Sequence, residues 1–132
     1  MPGKRTHILI VEDNDYIAEL LEGMLAADPS VFAFSSAKTI ASGVKCLRAE
    51  EIDLVLLDLN LPDSSGLETL ETIQAKDPGV PIVVISGMDD DEIADQALEK
   101  GAQDYLIKGR IKHDLLYRTI HDALDRHGKG RN

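Results

Sequence analysis

Tryptophan is absent from this sequence, and phenylalanine and tyrosine together contribute only five residues of 132. Aliphatic side chains therefore have to fill the core. There is a single cysteine, Cys46, which excludes an internal disulfide. Its position in a helical stretch reads as a small apolar side chain turned to the core. No N-terminal segment joins a basic start to a long apolar run, and no apolar stretch nears the roughly 20 residues needed to cross a bilayer. The expectation is a cytoplasmic protein with no membrane association. Basic residues are the scarcer charge, 14 against 24 acidic, for a net charge of −10. A surface so negative repels phosphate backbones, which argues against direct nucleic-acid binding. It leaves room for a small phosphorylated donor if a cation screens the site.

With 43% hydrophobic and 29% charged residues, the chain has the composition of one folded domain of ordinary size. Short apolar runs recur at Ile8 to Val11, Val31 to Phe34, Leu54 to Leu57, Ile82 to Ile85 and Tyr105 to Ile107. The first, third and fourth are apolar without alternation, as parallel strands covered on both faces are. The second is weaker and reads as an edge. Between the strands the period becomes helical: Ile17, Leu20, Leu21, Met24 and Leu25; Ile40, Val44 and Leu47; Leu67, Leu70 and Ile73; Ile93, Ala94, Ala97 and Leu98; Leu116, Ile120, Ala123 and Leu124. Ser36, Ser65 and the run Asp89-Asp90-Asp91 are expected helix caps, and Gly101 an expected helix stop.

Five alternating β and α segments imply an α/β fold, a five-stranded parallel sheet doubly wound with five helices. The flavodoxin-like strand order 2-1-3-4-5 places strands one and three side by side. The domain is expected over residues 1–127, with 128–132 a tail or a truncated linker.

Ligands in such a sheet bind beyond the carboxyl ends of the strands. Glu12 and Asp13 follow strand one, Asp58 and Asn60 follow strand three, Ser86 follows strand four and Lys108 follows strand five. Three carboxylates meeting at the switch point repel one another unless a hard divalent cation joins them. Mg²⁺ suits this set because it takes few carboxylates and shares phosphate oxygens, with the Asn60 backbone carbonyl as a further ligand. A carboxylate can attack phosphorus to give an aspartyl phosphate, and the step needs mainly alignment and charge neutralisation. Asp58 is the candidate nucleophile. Lys108, two strands away, is long enough to reach it across roughly 10 Å, and Ser86 can offer a hydroxyl. Taken singly, each has a plainer role: Glu12 and Asp13 as helix caps, Ser86 as a turn residue, Lys108 as a solvated lysine. Their shared edge is what favours the chemistry.

The segments Ile8-Leu-Ile-Val-Glu-Asp-Asn, Leu56-Leu-Asp-Leu-Asn-Leu-Pro-Asp-Ser-Ser-Gly, Val84-Ile-Ser-Gly and Gly101-Ala-Gln-Asp-Tyr-Leu-Ile-Lys resemble a bacterial two-component response-regulator receiver domain from Ile8 to about Leu124. The resemblance implies that Asp58 accepts a phosphoryl group from a sensor histidine kinase or phosphotransfer protein, that Asp13 and Glu12 serve Mg²⁺, and that Ser86 and Tyr105 form a switch pair. It also implies a phosphoacceptor signalling role rather than an enzyme, and it permits a homodimer through helix 4, strand 5 and helix 5. Gly109 departs from the family pattern, which usually has proline there, often after a cis peptide. Because a cis bond without proline costs roughly 3–4 kcal/mol, the expectation is a trans bond with a reshaped loop, or a flexible one. His7, His113, His121 and His127 lack metal-ligand spacing.

Three rival readings fit less well. A flavodoxin-like cofactor carrier needs a phosphate-binding loop after strand one, where this chain has acids. An Asp-nucleophile phosphatase carries its nucleophile after strand one and a cap. An unphosphorylated docking module has no use for an intact acidic pocket.

Overall fold

The computed structural model describes residues 4–87 and 90–130, with the backbone alone at 128–130. In chain order the main elements are β1 (Thr6–Val11), α1 (Asp15–Ala26), β2 (Phe32–Ala37), α2 (Ile40–Ala49), β3 (Leu54–Asp58), α3 (Leu67–Lys76), β4 (Ile82–Ser86), α4 (Asp91–Glu99), β5 (Asp104–Ile107) and α5 (His113–Gly130). The five strands form one parallel sheet in the order β2-β1-β3-β4-β5. This is the doubly wound arrangement expected from the alternation of runs and stripes.

Successive strand residues point to opposite faces, so each central strand feeds two cores. Ile8, Ile10, Leu54, Leu56, Val83, Ile85 and Leu106 pack against Leu21 and Leu25 of α1 and Leu116, Ile120 and Ala123 of α5. Leu9, Val11, Val55, Leu57, Ile82 and Val84 pack on the other side against Leu70 and Ile73 of α3 and Ala97 of α4. Of the helices with described side chains, α2 and α4 sink least: Gly43 and Ala97 are their only fully buried residues. Leu98, expected in the apolar stripe of α4, is 44% exposed. Cys46 is only partly buried, and free.

Several boundaries differ from the sequence expectation for physical reasons. β2 starts at Phe32 and runs on through Ser35 and Ser36, an edge strand whose burial alternates. Ser36 is therefore a strand residue, bonded to Glu22, and the cap of α2 is Thr39, whose side chain and Ser42 form a reciprocal capping box. α1 is capped by Asn14. Ser65 does not cap α3. It lies in a two-residue ribbon in which Asn60–Leu61 pairs antiparallel with Ser64–Ser65, and the residue at the helix start is Gly66, at φ +68° with no side-chain cap. That left-handed backbone favours glycine. Asp90 caps α4 by accepting from Glu92 N and Ile93 N; Asp89 lies outside the described residues. Gly101 does close α4, at φ +108°. The expected tail residues 128–130 continue α5, and 131–132 lie outside the described residues. Among the described residues no helix is long and apolar enough to cross a membrane.

Candidate functional site

Parallel pairing of β1 with β3 sets Val11 opposite Leu57, so the chain leaves β1 beside the residue that ends β3. Glu12, Asp13 and Asp58 are those exit residues. One carboxylate oxygen from each lies within 4.8 Å of the others. Glu12 and Asp58 are buried, at 1% and 3% exposure, while Asp13 is open to solvent. Asn14 takes over the capping of α1, its Oδ1 accepting from Ile17 N at 3.1 Å. Its own backbone N–H donates to Glu12 Oε2 at 3.1 Å. The acids are thus released from the plainer role of capping the helix.

Lys108 leaves β5 and crosses to this cluster. Its Nζ lies 2.7 Å from Glu12 Oε1 and 3.0 Å from Asp58 Oδ2. The bond to Asp58 is a directed hydrogen bond. At Glu12 Oε1 the lysine makes a close ion pair. The second oxygen of Asp58, Oδ1, accepts from Asn60 N at 3.0 Å. Among the described residues there is no cis peptide, so the bond from Lys108 to Gly109 is trans. The chain then enters a short 3₁₀ turn, Lys108–Arg110. This is the trans, reshaped alternative of the two expected, and the lysine still reaches the acids.

Burial pushes the Glu12 carboxyl up to about 7. Lys108 and the Asn14 N–H oppose that rise, and neighbouring Asp58 adds to it. Burial acts downward on Lys108, but its hydrogen bonds to Glu12 and Asp58 and their charges outweigh it, and its pKa is raised. One cation shared between two buried acids leaves the cluster short of positive charge. Three converging carboxylate oxygens are the donor set of a hard divalent cation, and they fit Mg²⁺. No histidine or cysteine joins such a group among the described residues.

Ser86 ends β4, pairs in register with Ile107 and is buried at 4% exposure. Tyr105 lies one strand over and packs partly into the core under α3 and α4. Both line a cavity of about 220 Å³ with Leu59, Asn60, Gly66, Asp90 and Ile93. The structure therefore gathers Glu12, Asp13, Asp58 and Lys108 at one point, with Ser86 and Tyr105 together at the adjoining cavity.

Sequence reasoning missed three residues that hold this region. Asp63 accepts from Ile40 N at 2.8 Å and Ala41 N at 3.1 Å, tying the loop after β3 to the start of α2. Ser64 and Thr69 form a hydroxyl pair under the same loop. No local pattern marks the role of these residues, because their partners are remote in sequence or belong to backbone.

A family model described as response regulator receiver domain matches residues 8–120. The cell cycle response regulator CtrA of Brucella ovis is 37% identical over 123 residues, a match that covers 93% of this chain and 51% of that protein. The chain thus spans about half the length of the curated relatives it matches. Among solved structures, a CheY-like receiver domain protein from Methanospirillum hungatei superposes with a TM-score of 0.84 at 28% identity, covering 96% of this chain and 99% of that one. NtrX from Brucella abortus gives 0.86 at 30% identity, covering 97% of this chain and 28% of that one. With the strand order and the gathered acids already in place, the match over residues 8–120 shows that the chain belongs to the response regulator receiver domain family, a family of signalling domains.

Proposed function

We propose that Asp58 accepts a phosphoryl group from a sensor histidine kinase or a phosphotransfer protein, and that the phosphorylated state changes which partners the domain binds. The observation that carries this reading is the meeting of Glu12, Asp13 and Asp58 oxygens within 4.8 Å, with Lys108 Nζ 3.0 Å from the proposed nucleophile. An Asp58 carboxylate oxygen attacks phosphorus. The bond from phosphorus to the donor's nitrogen or acyl oxygen breaks, and its electron pair leaves with the donor.

Glu12, Asp13, Asp58 and the backbone carbonyl of Asn60 are the residues that would hold Mg²⁺. When bound, the ion supplies charge neutralisation to the phosphoryl oxygens. Lys108, already on Asp58, is placed to follow the new negative charge. Ser86, at the neighbouring strand end, offers its hydroxyl to another oxygen. The arrival of a doubly charged group draws Ser86 inward, and Tyr105 turns into the space released beside it. The output surface in this reading is the face of α4, β5 and α5, which also serves a homodimer. We place the domain in the cytoplasm and assign it no direct nucleic-acid contact of its own, in keeping with its net charge of −10.

The test is intact mass after incubation with Mg²⁺ and a small acyl phosphate. The chain is expected to gain one phosphoryl group, and Asp58→Asn to gain none. Gain by both proteins, or by neither, overturns the assignment.

A further inference from the structure

Between β3 and α3, the chain passes through the Asn60–Leu61 and Ser64–Ser65 ribbon, next to the proposed acceptor. Beneath it lies a polar side chain that phosphoryl chemistry does not call on. Thr69, in the first turn of α3, is 0% exposed. A hydroxyl at such a depth costs stability unless it is bonded. Its Oγ1 donates to the Leu59 carbonyl at 3.0 Å and lies 2.7 Å from Ser64 Oγ. A hydroxyl has one proton and two lone pairs. With the Thr69 proton committed to Leu59, Ser64 must be the donor to Thr69. The relay therefore runs one way, from Ser64 to Thr69 to Leu59.

The Leu59 carbonyl and the Asn60 N–H belong to the same peptide unit, which is rigid and planar. Fixing the carbonyl at one end fixes the N–H at the other. That N–H donates to Asp58 Oδ1 at 3.0 Å, while Oδ2 faces Lys108 at 3.0 Å. Ser64, Thr69, one peptide plane and the Asp58 carboxylate form a continuous chain of contacts.

We infer that Thr69 is a positioning residue for the phosphoacceptor, holding the peptide between Leu59 and Asn60 so that its N–H orients Asp58. The inference rests on Asp58 being the acceptor. Thr69 touches neither Asp58 nor a phosphoryl donor, and acts only through the peptide. If burial alone accounted for it, valine, which has the same shape, would serve equally well.

The experiment compares the unaltered chain with Thr69→Val, Thr69→Ser and Ser64→Ala. Two readouts are taken: phosphoryl gain over time by intact mass with Mg²⁺ and a small acyl phosphate, and exchange of the Asn60 amide by NMR in metal-free protein. Loss of one buried hydrogen bond is expected to speed Asn60 exchange about 10-fold and slow phosphorylation about 10-fold in Thr69→Val. Thr69→Ser is expected to restore both. A valine variant that matches the unaltered chain overturns the inference, as does a serine variant as impaired as valine. Should Thr69→Val not fold, Ser64→Ala decides: a shift in both readouts supports the relay, and none overturns it. An unaltered chain that takes up no phosphoryl group overturns the acceptor reading itself, a result distinct from phosphorylation at equal rates in all variants.

Discussion

Lys108 is the residue on which the electrostatics of the pocket turn. Two buried acids share its one charge, and its side chain is 17% exposed. Replacing it with glutamine leaves Glu12 and Asp58 facing each other without a counter-charge. Breaking such a pair costs several kcal/mol when it is wholly dry, and with the partial exposure here Lys108→Gln is expected to lose about 2 kcal/mol in metal-free protein. Urea unfolding in a chelator, repeated with Mg²⁺, checks this. The loss should shrink when the metal is present, and an equal loss in both would show that the lysine's packing matters rather than its charge. At this scale the sequence was informative where a residue follows directly from a strand. Glu12, Asp13, Asp58, Ser86 and Lys108 all sit at strand exits, and a parallel sheet brings strand exits to one edge. Thr69, Ser64 and Asp63 were illegible for the opposite reason. Thr69 lies beside the apolar stripe of Leu67, Leu70 and Ile73, where any helix tolerates a polar residue, and its acceptor is a carbonyl, which leaves no mark in sequence.

Among the elements, α2 relies on a borrowed cap. Thr39 and Ser42 satisfy part of its first turn, and Asp63, from across the sheet edge, satisfies Ile40 N and Ala41 N. The Ile40 N–H, with smaller help from that of Ala41, holds the Asp63 carboxyl below its ordinary value of 3.8 against the opposing effect of desolvation. A carboxylate whose folded pKa is depressed stabilises the fold above its unfolded pKa, and that contribution disappears as pH falls through the folded value. Asp63→Asn is therefore expected to lower the melting temperature at neutral pH, with the gap from the unaltered chain closing below pH 3.8. Thermal melts at pH 7 and at successively lower pH check the sign; a gap that widens in acid rules the cap out. Elements were legible where apolar runs were long and unbroken, as in β1, β3 and β4. They were misjudged where polar residues continue a strand, as Ser35 and Ser36 do in β2. There an edge position lets Ser35 find His7 and Glu50 while still pairing in the sheet.

In the whole molecule, the order of the five strands followed from the rhythm of the sequence, since alternating β and α segments with short connections leave few ways to wind a sheet. The depth to which each helix sinks did not follow, because a helical stripe shows direction and not closeness. α1, α3 and α5 plant leucine and isoleucine in the two cores, whereas α4 buries only Ala97, with Leu98 turned outward. α2 is as shallow, but Asp63 ties its start to the loop after β3. The start of α4 is held by Asp90, its own neighbour in sequence. Few buried apolar groups mean a low free energy of local opening. Amides from Ala94 to Glu99 are accordingly expected to exchange through a cheaper opening than those in the middle of α3 or α5, as native-state hydrogen exchange would read; equal protection would contradict it. Using alanine where its neighbours use leucine thus sets α4 apart as the loosest plank in an otherwise nailed floor, and it lies against the cavity of Ser86 and Tyr105, where a small push from below has the least weight to lift.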